Sequence, residues 1–436
     1  MLQYYKNMKN FKVLVGEFIM DKSFFIKNRE NLLSKIEENS IVVLFAGEAP
    51  YKSADDKYSF CPNRNFYYVT GFKREKAIYV ATKASGVISE TLYIERQNPE
   101  LIKWIGKKPT LEDSKEITGI EDVKFLDEFS ENFSKISNPS IEYENIYLDL
   151  ERQEYDKLPN LPMIFSEEVI RKYPYLKVRN IFKFIAELRA VKREEEIELT
   201  RRAIEITKEG IYSIFKNAKE GIMECELEAH FDYELRKRGV KETAFNTIVG
   251  SGVNGATLHY SENNCEIPEK SLVLLDLGAQ YNEYNADVSR TFPANGKFTD
   301  RQKAVYNAVL NAMKKVEEAA RPGIKKSDLE KVAMEELGKG CVELGLIKDK
   351  SEVRKYYFHS IGHYLGMDAH DVGSYDRVLE PGMIITNEPG IYIAEEGIGV
   401  RIEDDLLITT DGCENLSKDI IKEVEEIESF MAKYNK

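Results

Sequence analysis

Residues 271–292 read SLVLLDLGAQYNEYNADVSRTF. The segment opens on a continuous apolar run, Leu272 to Leu275, which ends in Asp276; a polar QYNEYN region then leads to a second aspartate, Asp287. A short apolar run bounded by turn residues reads as a buried strand, and the polar middle reads as the turn of a hairpin. With the turn centred between Tyr281 and Asn282, Asp276 is set directly across from Asp287. Opposed residues on paired strands have Cβ atoms about 4.5–5.5 Å apart, where uncompensated like charges are destabilising. A bound cation removes that objection.

The same construction recurs in residues 387–405, NEPGIYIAEEGIGVRIEDD. A turn centred between Glu395 and Glu396, followed by Gly397, faces Glu388 against Glu403. Four buried carboxylates without partners raise one another's pKa values, whereas two divalent cations balance their charge. Oxygen-rich coordination favours manganese, with cobalt, iron or zinc as alternatives, and an imidazole ligand argues against a pure magnesium or calcium site.

The imidazole is close by in sequence. The chain has five histidines, three of them in the stretch HSIGHYLGMDAH: His359, His363 and His370. HSIGH lacks the glutamate of a H-E-x-x-H zincin. Gly362 and Gly366 make a poor continuous helix, so a folded-back segment crossing the site is expected. His259, in ATLHYSENN, precedes the first acidic hairpin. His230 reads as a structural residue on an amphipathic helix.

Around these segments the chain has the makings of two domains, since 436 residues exceed the size at which one core keeps growing. The runs IVVLF, NFYYVTGF, AIYVAT, TLYIER and NIYLDL read as strands of an α/β domain over residues 1–177. From about residue 181 long helices begin, and residues 178–436 read as an α+β second domain. TDRQ at Thr299 and SDLE at Ser327 match the capping box, and Pro322-Gly323 stops the first of these two helices. No repeat of roughly 20–50 residues is visible.

Composition excludes several classes of function. A formal charge of -13, without a basic run, opposes nucleic acid and anionic lipid as partners. Five widely spaced cysteines without a C-x-x-C pair suit reduced thiols. The N-terminal stretch is broken by Lys9, Lys12 and Glu17, and no segment approaches the ~20 apolar residues of a membrane span. A cytoplasmic protein is therefore expected. Met20 opens the recognisable part of the first domain, so residues 1–19 are read as an extension or an upstream start.

The stretches NTIVGSGVNGATLHYSEN, LVLLDLGAQYNEYNADVSRTFPANGKFT, HSIGHYLGMDAHDVG, LEPGMIITNEPGIYI and VRIEDDLLIT together resemble aminopeptidase P, a group of pita-bread metallopeptidases. A looser likeness at SADDKYSFCPNRNFYYVTGF extends the resemblance to a creatinase-N-like first domain. The resemblance implies a pita-bread catalytic domain with two divalent metals held by Asp276, Asp287, His363, Glu388 and Glu403, of which Asp287 and Glu403 bridge. It implies that His259 and His370 contact substrate and stabilise charge on its carbonyl oxygen. Glu388, a carboxylate beside the attacking solvent, reads as the carrier of its proton. His359, Tyr392 and Arg401 then border a proline pocket. The implied activity is release of an N-terminal residue preceding proline from peptides, by a homodimer or homotetramer. Two departures stand out: Ser360, Ile361 and Gly362 replace the usual G-L-S or G-L-G, and the loop GSYDRVLEPG is shorter than in relatives. The alternatives are prolidase, which takes only Xaa-Pro dipeptides, and a non-catalytic pita-bread binding protein. Methionine aminopeptidase normally lacks the long first domain, and creatinase works without metal.

Overall fold

Val42, Val43 and Leu44 lie at the centre of a strand with no exposed residue, β1 (Ser40–Phe45), around which the first part of the chain is organised. The computed structural model describes residues 20–140, 143–151 and 154–434. These divide into two units, Met20–Arg189 and Ala190 onward. Residues 1–19, read above as an extension, lie outside the described residues.

In the first unit β1 is joined by β2 (Ile78–Ala84), β3 (Val87–Ile94), β4 (Asp122–Phe125), β5 (Asn145–Leu148) and β6 (Lys177–Asn180) in the order β4-β3-β2-β1-β5-β6. β1 pairs antiparallel with β2 and parallel with β5. Four of the five runs read as strands form strands; NFYYVTGF does not. Asn63 Oδ1 accepts the Phe66 N–H at 2.8 Å, and Gly71 closes the segment in the left-handed conformation, making Arg64–Thr70 a helix. The cap outweighs the aromatic and β-branched composition. The boundary also falls later than Lys177, because Lys177 opens β6, which pairs with β5, and the helix Phe182–Ala190 follows. A four-residue edge strand carrying two charges leaves little periodic signal.

The second unit uses one plan twice. The paired helices Glu194–Asn217 and Glu224–Lys237 precede the sheet of β7 (Ile248–Ser251), β8 (Leu272–Leu277) and β11 (Val288–Pro293). The small ribbon β9 (Gln280–Tyr281) and β10 (Tyr284–Asn285) caps the β8–β11 hairpin. The paired helices Asp300–Ala319 and Lys326–Glu343 then precede β12 (Ile384–Asn387), β15 (Asp404–Ile408) and β16 (Cys413–Asn415), with β13 (Gly390–Ile393) and β14 (Ile398–Arg401) as the hairpin between. This is the pita-bread arrangement, and its repeat is longer than the window in which sequence repeats are sought.

Thr299 caps as expected: Gln302 Oε1 accepts the Thr299 N–H at 2.8 Å. Val305, Val309, Ala312, Met313 and Val316 on that helix are all buried. Ser327 is not a cap. The helix begins at Lys326, because Lys325 bridges to Val378 in extended form and Asp328 Oδ2 accepts its N–H at 3.1 Å.

Candidate active site

The first hairpin places its aspartates one step away from the expected register. Asn282 and Glu283 both have positive φ, 47° and 72°, and form a two-residue turn that centres the hairpin between them. Asp276 is therefore opposite Ser289 rather than Asp287. Moving a turn centre by one residue moves each partner by two, an even number, so both aspartates stay on one face. Gly278 permits the close approach here, since a Cβ at that position would lie 1.8 Å from Ala286 O.

The second hairpin has the expected register. Gly390 pairs with Arg401 and Ile393 with Ile398, and the Ile402 N–H reaches Pro389 O, which continues the ladder to Glu388 opposite Glu403. At both glutamates the backbone leaves the ladder. The Glu388 N–H donates to Ile361 O and the Glu403 N–H to Ser289 O, so each carboxylate sits where its strand passes from one sheet to another.

The histidine segment is not helical. Its backbone runs beside β12 instead, with Thr386 N–H donating to His363 O and Leu365 N–H to Ile384 O. His363 lies 3.0 Å through Nδ1 from Tyr364 O, so Nδ1 carries the proton and Nε2 presents a lone pair. That lone pair faces Asp287 Oδ2 at 3.5 Å and Glu388 Oε1 at 3.6 Å. Ligating atoms of Asp287, His363 and Glu403 all lie within 4.8 Å of one another.

Burial lowers the His363 pKa to about 4, with His370 adding to the effect, so the ring is neutral. Burial also raises Glu388 to about 7, and raises Asp287 and Glu403 well above the usual carboxylate range; the neighbouring carboxylates push in the same direction. Among the described residues no Lys or Arg makes an ion pair with Asp287, Glu388 or Glu403. Acceptor groups converging without an ammonium or guanidinium between them are the donor set of a cation site, and the imidazole with three carboxylates suits a transition metal. Asp276 is the fourth carboxylate, and Arg401 Nη2 donates to its Oδ2 at 2.7 Å.

These groups open onto a cavity of about 660 Å³ whose wall includes His259, His359, His370 and Arg401. The His363 and His370 rings are 4.2 Å apart between centroids. Tyr392 is 3 % exposed, its hydroxyl 2.8 Å from His359 Nε2 and 3.0 Å from Arg401 Nη1. It braces these two wall residues.

Several supporting residues have no signature in the sequence. Ser289 Oγ stands 2.7 Å from Glu403 Oε2, 3.1 Å from Asp276 Oδ1 and 2.8 Å from Arg401 Nε, linking the two hairpins. Its position two residues after Asp287, on the same strand face, is the one clue available beforehand. Arg290 is fully buried and donates to Glu403 O at 2.6 Å and Asp404 Oδ1 at 2.7 Å, fixing the backbone beneath the site. Asp405 Oδ2 accepts the Asp287 N–H at 3.2 Å. The Lys326 ammonium donates to Gly362 O beside His363 and lies 4.2 Å from the Tyr375 ring centroid.

Comparison with known proteins gives a consistent result. Residues 198–410 match the family model described as metallopeptidase family M24, and residues 25–147 match the aminopeptidase P N-terminal domain. The chain is 33% identical to the Xaa-Pro aminopeptidase of Escherichia coli K12, over 93% of this chain and 97% of that protein. It is 32% identical to human Xaa-Pro aminopeptidase 3, over 92% and 84% of the two chains. Among solved structures, a Bacillus anthracis protein provisionally assigned to aminopeptidase P superposes with a TM-score of 0.94 at 50% identity, covering 95% of this chain and 99% of that one. Zinc-substituted E. coli aminopeptidase P in complex with product gives 0.89 at 32%, covering 96% and 100%. With both domain models matched in order and relatives aligned nearly end to end, the chain belongs to the aminopeptidase P branch of metallopeptidase family M24.

Proposed function

We propose that the protein is a metal-dependent Xaa-Pro aminopeptidase, hydrolysing the bond between an N-terminal residue and a following proline in peptides. The observation that carries this reading is the convergence of the His363 Nε2 lone pair with Asp287, Glu388 and Glu403 oxygens in a buried cavity. Asp276, Asp287, His363, Glu388 and Glu403 would hold two divalent ions, with manganese the best match to the donor set. Such ions supply Lewis acidity and a hydroxide nucleophile at neutral pH.

The chain's own groups do the rest. Glu388, whose carboxylate lines the cavity, takes the proton from the attacking water and returns it to the departing proline nitrogen. Burial lowers the His370 pKa, so its ring is neutral, and with His259 it offers N–H groups to the carbonyl oxygen as negative charge develops there. A proline amide has no N–H to recognise, so the pocket must read ring shape. His359 and Arg401, held by Tyr392, provide a fixed wall for that purpose.

The E. coli relative has been crystallised with product and with the inhibitor Pro-Leu, a dipeptide that begins with proline. This supports the proline reading over a general aminopeptidase. No helix among the described residues is long and apolar enough to cross a membrane. With all five cysteines free, this supports a soluble enzyme of a reducing compartment such as the cytoplasm, and we read it as a homodimer or homotetramer. The test is a peptide panel with manganese-loaded protein: Xaa-Pro-Xaa is cleaved and Xaa-Ala-Xaa is not. Equal cleavage of both overturns the proline assignment, and activity confined to Xaa-Pro dipeptides makes the enzyme a prolidase instead.

A further inference from the structure

Glu224 is fully buried, opens the helix Glu224–Lys237, and lies outside the site described above. Its carboxylate nevertheless receives five hydrogen bonds. Oε1 accepts from Ser251 N at 2.8 Å, Ser251 Oγ at 2.7 Å and Asn254 Nδ2 at 3.1 Å. Oε2 accepts from Tyr260 OH at 2.7 Å and Cys265 N at 3.1 Å. These donors all come from the segment that leaves β7 and returns toward β8, and His259 hangs between them.

We propose that Glu224 is a positioning residue that sets His259 against the reacting carbonyl. The inference rests on the reading of His259 as a donor to that oxygen. The segment 252–265 has little regular structure, a single 3₁₀ turn at Gly252–Ala256. A histidine on such a segment needs its backbone fixed before its N–H can be aimed. Glu224 ties both ends of the loop and the residue adjacent to His259 to one rigid helix. Asn263 supplies a second anchor, accepting from Val249 N and donating to Thr247 O, each at 2.9 Å. The Tyr260 ring packs in one cluster with Tyr392, the residue that braces His359 and Arg401. One carboxylate thus reaches two parts of the cavity wall.

The chemistry requires a carboxylate and not merely a polar side chain. Ionised glutamate is acceptor-only, with about four lone-pair directions over two oxygens, and all five partners are donors. Glutamine keeps one acceptor oxygen and turns the other position into an NH₂. That NH₂ would face the N–H of either Ser251 or Cys265, neither of which can become an acceptor. Glu224→Gln is nearly isosteric, yet it releases one end of the loop.

The test is a double-mutant cycle in the manganese-loaded full chain, on an Xaa-Pro-Xaa substrate, with Glu224→Gln, His259→Ala and the pair. Glu224→Gln should lower kcat about tenfold or more with KM changed less than about twofold, and should add less than about twofold to the loss caused by His259→Ala. Amide hydrogen exchange in the metal-free variant should accelerate across residues 252–265 while β8 and β11 keep their protection. Tyr260→Phe, which deletes one hydroxyl and leaves four donors, should give a smaller loss that again vanishes in the His259→Ala background; it decides the matter if Glu224→Gln does not fold. Losses that multiply, or unchanged exchange in the loop, overturn the positioning role alone. Wild-type activity in His259→Ala overturns it together with the assignment of His259.

Discussion

His363 shows how much one hydrogen bond decides. With Nδ1 committed to Tyr364 O, the ring can present only a lone pair toward Asp287 and Glu388, so the site is complementary to a cation before any is bound. Arg401 has an equally defined task, using its whole fork on Asp276, Ser289 and Tyr392. A lysine has one ammonium and cannot reproduce three fixed directions. Arg401→Lys should therefore lower kcat/KM on Xaa-Pro-Xaa by about 10- to 100-fold and narrow the preference for proline over alanine, as steady-state kinetics on the two tripeptides will show. The two acidic pairs were legible because two similar hairpins repeat the same spacing of carboxylates, Asp276 with Asp287 and Glu388 with Glu403, whereas His363 was singled out by the histidine cluster and the resemblance to aminopeptidase P. Ser289, Asp405 and Arg290 were not, since a serine or charged residue in a strand ordinarily faces solvent and only the fold reveals these as buried.

Ionisation at this site links residue to stability. Glu388 has its folded-state pKa raised to about 7 from 4.5, and burial with neighbouring carboxylates raises Asp287 and Glu403 as well. A carboxyl with a raised folded pKa binds its proton better when folded, so it disfavours folding increasingly as pH climbs from the unfolded value through the folded one. Metal-stripped protein should accordingly lose stability between about pH 4.5 and about pH 7, read as a falling denaturant midpoint over that window. Loaded protein should run the other way, because protons compete with metal for the same oxygens as pH falls.

At the scale of elements, the site depends on two hairpins holding register. The β8–β11 hairpin keeps its register through the Asn282–Glu283 turn and the close approach at Gly278. Gly278→Ala forces a methyl group against Ala286 O and should destabilise the protein by about 1–3 kcal/mol in chemical denaturation, with weakened metal binding because Asp276 and Asp287 lie on either side. An unchanged midpoint would separate register from metal affinity. Parity was readable in advance and absolute register was not: the QYNEYN region offers two adjacent turn centres, and positive φ at non-glycine residues decided between them. NFYYVTGF illustrates the converse, where a cap at Asn63 and a stop at Gly71 made a helix of a strand-like composition.

At the scale of the whole molecule, the two-domain division followed from length and the change to long helices, and the pita-bread unit from the resemblance of the motif segments to aminopeptidase P. The placement of the boundary did not, because β6 is a short, charged edge strand whose membership is decided by its pairing with β5. The helix-pair-plus-sheet plan used twice explains why the four carboxylates arrive as two similar hairpins: each half contributes one pair to a shared centre. That centre is the claim on which the enzymatic account stands.

The most direct test is the divalent metal content of purified protein after manganese loading and gel filtration, paired with Xaa-Pro-Xaa hydrolysis before and after chelation. The account predicts about two ions per chain, activity abolished by chelation and restored by manganese, and loss of both metal and activity in Asp287→Ala. A chelated, metal-free chain that still hydrolyses the peptide at the original rate would contradict it.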